Sequence, residues 1–347
     1  MPRLPPVIKA IFLDNLFGAS FAIESMLYHS WKVINLFVKS YQRLLLFGLL
    51  ALALTAIISP WAAATWQYIT ATQAGWQQYR YTFSKIFDRC FMFAGMILFF
   101  GCRRFLKLGS LNQLGLTPRT RAGGDFFLGV GLSVASMAGL TLIMALTDVF
   151  IPYFRLSLSE TMARCGTALL AALGAGFFEE IFFRGIVFKG LREDLGPVRG
   201  YFFANLFFAA IHFVRPSDDI VLTGIHPWAG IRHVVYSFYP FLDFGTLFPG
   251  LLGLFLIGTV LCYAFERSGT LYLSIGLHAG WIFSLKTFGV FGQYTRESLG
   301  WIFGSTDPKV VSGVISWIGI VLVGVLVHRF TRSRLRLLAA PRTATEV

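Results

Sequence analysis

The sequence predicts an all-α fold, a polytopic transmembrane bundle of about eight spanning helices with an N-terminal amphipathic interfacial helix. Three observations carry this. The 347-residue chain is 56% hydrophobic and only 14% charged, whereas soluble domains carry about 25% charged residues. Its apolar residues form long unbroken runs, not the short alternating segments of a membrane β-barrel. Its basic residues, which bring the formal charge to +13, collect between the runs, as in loops that orient helices across a bilayer. No basic patch is interleaved with aromatics, so the expected surroundings are a lipid bilayer and no nucleic acid.

Residues 1–43 read as the interfacial segment, because Lys9, Asp14, Glu24, Lys32 and Lys39 punctuate its Leu, Phe and Ile residues. It lacks the clean apolar core and small-residue cleavage site of a signal peptide. Residues 44–328 form one transmembrane domain, with candidate spans at 44–63, 86–102, 125–146, 166–188, 199–214, 247–265, 270–290 and 311–328. Each approaches the roughly 20 apolar residues that cross a bilayer. Residues 329–347 are a basic tail carrying Arg329, Arg332, Arg334 and Arg336.

Eight spans put both termini on one side. The loops and termini of that side hold 19 Lys and Arg against 10 on the other, which predicts cytoplasmic termini in a cell membrane. The connection 215–246 is long for a compact bundle and rich in Pro, Trp and Tyr. It reads either as an interfacial element covering a cavity mouth or as a surface loop. The four cysteines sit in or beside apolar segments with no metal-ligand spacing and read as buried small hydrophobes.

The fourth span carries the strongest functional signal. Glu179, Glu180 and Arg184 lie within six residues of an apolar helix. Three such charges cost roughly 7–10 kcal/mol near a helix centre. The eleven Leu, Ile, Val and Phe residues from Leu169 to Phe188 return only about 3–7 kcal/mol. The charges must therefore pair, meet water or hold a proton. Glu180 and Arg184 are four apart, about 40° around an α-helix, and can pair. Glu179 then faces elsewhere, free to act as a base.

Partners lie on other spans. Asn205, Phe208 and His212 share a face of the fifth span, and His278 sits inside the seventh. Histidines at membrane depth usually face the bundle interior. The remaining four, His29, His226, His233 and His328, fall at interfaces or in loops. A carboxylate with two histidines can activate water and stabilise an oxyanion. The same set is chemically able to bind zinc, but no HExxH is present and the sequence demands no cofactor.

These residues resemble the CAAX protease and bacteriocin-processing (CPBP) family of intramembrane glutamic-type endopeptidases. Glu179–Arg184 (EEIFFR) matches its EExxxR motif, Phe208–His212 (FAAIH) its FxxxH motif, and His278 the leading histidine of its third motif, HxxxN or HxxxD. The likeness covers roughly residues 165–290. It implies an endopeptidase acting on a membrane-associated protein or peptide. Glu179 and His212 would polarise the attacking water, Glu180 and Arg184 would hold the site's shape and charge, and His278 would help stabilise the oxyanion. Phe208 and Asn205 are the expected substrate contacts. One position departs: Ile282 stands where the third motif has Asn or Asp, leaving Asn205, Ser274 and Ser284 as replacement donors. Two other readings follow from the same residues: a non-catalytic scaffold or immunity-type protein, favoured by Ile282, and a transporter, opposed by the lack of internal repeats.

Overall fold

The computed structural model describes residues 38–73, 75–106, 110–118, 120–214, 224–304 and 310–339. The expected interfacial segment up to residue 37 and the end of the tail lie outside them. The chain runs α1 (Ser40–Thr72), α2 (Phe83–Gly101), α3 (Ala122–Leu146), β1 (Phe150–Pro152), α4 (Leu158–Glu180), a π-helical stretch (Ile181–Phe188), α5 (Lys189–Leu195), α6 (Pro197–Ile211), α7 (Ala229–Ser237), α8 (Phe244–Ser268), α9 (Tyr272–Phe288), β2 (Gly292–Tyr294), α10 (Gly300–Phe303) and α11 (Val314–Ala339). The two strands pair antiparallel, Phe150 opposite Tyr294, and tie the α3–α4 connection to the segment after α9.

All eight expected spans are helices. Five are long and apolar enough to cross a membrane: α1, α3, the continuous helix Leu158–Leu195, α8 and α11. The other three, α2, α6 and α9, have 19, 15 and 17 residues. Local chemistry sets the ends. Ser157 caps α4 in a reciprocal box with Glu160, the Glu160 amide donating to Ser157 Oγ at 3.3 Å and the Ser157 amide to Glu160 Oε2 at 3.1 Å. Asp243 caps α8, accepting from the Thr246 amide at 3.3 Å. Gly269, in the left-handed region at φ 69°, ends α8 and turns the chain into α9.

The centre of the bundle is α9, whose residues from Leu273 to Trp281 are all buried. It is covered by α3, α4 and α8. Lipid offers no hydrophobic force between helices, so close packing of small residues substitutes. Gly276 of α9 presses on the backbone of Phe126, and Gly129 of α3 on the backbone of Leu273 and Leu277. A methyl group at Gly276 has no room against the Phe126 carbonyl. Gly276→Ala is thus expected to cost about 1–3 kcal/mol as overpacking. Gly131→Ala, also in α3 but facing open space, gains helix propensity. Unfolding midpoints in mild detergent should move down for the first and not for the second.

On α4 the buried residues Ala168, Ala172, Gly176 and Glu180 recur every four positions. This stripe faces α9, with Gly176 against Ala279. Glu180 is the last member of a helix-packing face, which is why it is buried while its neighbour is not. The long connection after α6 is not a bare loop. Its helix α7 docks on α1, Gly230 meeting the backbone of Ala56. His233, expected in a loop, lies fully buried in α7 against the rings of Phe83 and Phe87, at 5.4 and 4.4 Å. The helix α11 continues into the basic tail, through residue 339.

Candidate active site

Glu180 closes α4, and the π-helical stretch begins at the next residue. Such interruptions of an α-helix recur at functional sites, because they re-aim side chains that a regular helix would bury. The expected α-helical spacing therefore does not extend to Arg184, yet the expected pair forms. Arg184 Nη1 donates to Glu180 Oε1 at 2.7 Å, and both side chains are fully buried. The guanidinium lies 4.4 Å from the centroid of the Phe208 ring and 5.9 Å from that of Phe183, so cation–π attraction adds to the ion pair. Its Nη2 donates to the Gly258 carbonyl of α8 at 3.4 Å.

His278 makes a contact the sequence did not suggest. Its Nδ1 stands 2.8 Å from Glu180 Oε1, the same oxygen that receives Arg184. A carboxylate oxygen accepts, so Nδ1 carries the proton, and in the neutral ring Nε2 holds a lone pair. That Nε2 is 3.9 Å from Glu179 Oε2. His212, at the C-terminal cap of α6, is fixed the same way. Its Nδ1 donates to the Phe208 carbonyl at 2.6 Å, and its Nε2 is 3.8 Å from Glu179 Oε2. Two imidazoles from separate helices thus turn equivalent nitrogens toward one carboxylate.

Separations of 3.8 and 3.9 Å exceed a direct hydrogen bond and leave room for a bridging water. Glu179 Oε2 and Glu180 Oε2 both lack a protein hydrogen-bond partner, and of the two carboxylates only Glu179 is partly exposed. Exposure is graded. The side chains of Glu179 and His212 are 34% and 31% exposed, His278 is 6% and the Glu180–Arg184 pair 0%. An incoming molecule meets Glu179 and His212 first, with the ion pair as the floor. Among the described residues no three His, Cys, Asp or Glu side chains form a group able to hold a metal ion.

Asn205 and Phe208 are each 1% exposed. Phe208 forms the wall between Arg184 and His212, its ring centroid 4.7 Å from that of His212. Asn205 Oδ1 accepts from Cys262 Sγ at 3.3 Å, and its Nδ2 has no partner. Of the replacement donors for the third motif, Ser274 gives its hydroxyl to the Leu271 carbonyl at 3.0 Å. Sequence reasoning missed Glu180 as the shared acceptor of Arg184 and His278. The four-residue stripe of small side chains leading to Glu180 was the available signal that this carboxylate, and not Glu179, faces another helix.

Residues 162–284 match the family model Rce1-like, described as type II CAAX prenyl endopeptidase Rce1-like. The match spans just over a third of the chain and contains every residue of the cluster. No curated protein and no solved structure matches the chain.

Proposed function

We propose that this chain is an intramembrane endopeptidase that hydrolyses a peptide bond in a membrane-associated protein or peptide. The observation that carries the reading is the Glu179 carboxylate between the two Nε2 atoms of His212 and His278, at 3.8 and 3.9 Å. The family match over residues 162–284 supports it.

In this reading a water held by Glu179 and His212 attacks the scissile carbonyl. Glu179 takes the proton of that water as general base and returns it to the leaving amine. His212, kept by Phe208 with its Nε2 toward the water, orients the attack. In this reading His278 acts as the imidazolium, its Nδ1–H held by Glu180 as counter-charge and its Nε2–H donating to the tetrahedral oxyanion. Arg184 holds Glu180 in place through the buried pair. Phe208, almost fully buried, backs Arg184 and His212 with its ring, and Asn205, equally buried, packs against Cys262 and Gly258, so in this reading both shape the site from behind.

Ile282, one helical turn beyond His278, offers the oxyanion no hydrogen bond. One oxyanion donor is worth about 10²–10³ in turnover. Ile282→Asn is therefore expected to raise peptide turnover by up to about 10², read with a fluorogenic peptide in detergent micelles. An unchanged or lower rate would mean that another group already fills the role.

The function itself is tested in cells. Peptide termini in the membrane proteome are compared between wild type and a Glu179→Gln strain. A terminus present in the first and missing in the second identifies the substrate. Identical terminus profiles, with the variant protein present at normal level, would sink the hydrolase reading and leave the scaffold.

A further inference from the structure

A second built arrangement lies where the C-terminal end of α8 packs against α11. The two helices run parallel there. Tyr263 Oη and His328 Nδ1 are 2.5 Å apart with their rings stacked. One turn on, Arg267 Nε donates to Thr331 Oγ1 at 3.2 Å, and the guanidinium lies 5.9 Å from the Tyr263 ring centroid. Arg267 is thus held by its inner nitrogen and by a ring face, which leaves its two terminal nitrogens available.

Among the described residues no carboxylate pairs with this cation. The neighbouring Glu266 is engaged by Arg192 and Tyr201. From Val314 to Ala339 the chain has no Asp or Glu. Arg332, four residues beyond His328 and exposed, adds a second cation on the same face. Below them Ile318, Val321 and Val325, at 55%, 50% and 45% exposure, continue the face as an apolar track. At helical spacing these three share a side with Arg332.

We propose that this face binds an anionic phospholipid, its phosphate on Arg267 and Arg332 and an acyl chain along the Ile318–Val325 track. Arginine forks match phosphate oxygens bidentately. The track sets a lipid apart from a free phosphate, which has no use for apolar surface next to the cations. The site lies at a helix end away from the Glu179 cluster, so the proposal stands or falls independently of the hydrolase reading.

The test uses the full chain purified in mild detergent, with phosphatidylglycerol or phosphatidylcholine added in equal amounts and retention read by native mass spectrometry. Wild type should retain phosphatidylglycerol over phosphatidylcholine by about fivefold or more, and Arg267→Ala and Arg332→Ala should each lower that preference by about fivefold. Arg332 is exposed, so its variant reports on binding without a folding defect. Equal retention of the two lipids, or an unchanged preference in both variants, overturns the proposal. Displacement of phosphatidylglycerol by inorganic phosphate at matched concentration also overturns it, assigning the face to a free anion.

Discussion

Glu179→Gln should slow peptide hydrolysis by about 10²–10⁴-fold, the range that general acid–base groups supply, while leaving the fold intact. Gln has the shape of Glu and keeps a hydrogen-bonding oxygen, but it cannot take a proton from water. The side chain is 34% exposed and faces the imidazoles of His212 and His278, with no Lys or Arg against it among the described residues, so its neutralisation strands no buried Lys or Arg. The measurement is single-turnover cleavage of a peptide by purified protein, alongside an unfolding midpoint. His212→Ala should cost a similar factor, because the two side chains hold one water. The double variant should then be little slower than either single one, since groups that act as a unit are not additive. A Glu179→Gln enzyme with more than a tenth of wild-type turnover would remove Glu179 from the base role. Additive losses would separate the two residues into different steps.

Arg184→Ala is expected to destabilise the protein by about 3–5 kcal/mol, the cost of leaving one member of a buried ion pair alone. Glu180 is fully buried, and its remaining partner would be His278 at 2.8 Å. The lost guanidinium also removes the contact with Phe208 and the bond to Gly258. Unfolding midpoints in detergent should fall well below wild type for this variant. Glu180→Gln combined with Arg184→Met should recover much of the loss, because removing both charges of a buried pair is often neutral. Arg184→Lys keeps the charge but not the planar fork over Phe208, and should lie between. An Arg184→Ala protein as stable as wild type would mean that water reaches Glu180, contrary to its burial.

These two predictions draw on different parts of the chain's legibility. The pairing of Glu180 with Arg184 was readable, because residues four apart stay within reach of each other even where the helix widens to the π form. So was the alignment of Phe208 with His212, which the structure turns into a backbone hydrogen bond that fixes the imidazole. The π-helical stretch from Ile181 was not readable, since no Pro or Gly pair marks it and its apolar residues suit a regular helix equally well. The contact between His278 and Glu180 joins positions 98 residues apart and depends on how α4 settles against α9. The docking of α7 on α1 was hidden for the same reason. The composition of the connection after α6 reports an interface but not which helix supplies the other half.

By itself the sequence determined that this chain folds as a helical membrane bundle and that Glu179, Glu180, Arg184, His212 and His278 are its costly polar residues. Transfer energies and helical periods are properties of single segments, so they can be read from one span at a time. Only the tertiary structure decided that Glu180 is also held by His278 and that Glu179 stands between two imidazoles. Burial and donor direction are relations between helices. They are set where Ala168, Ala172 and Gly176 let α4 approach α9 closely, a meeting that neither segment encodes alone.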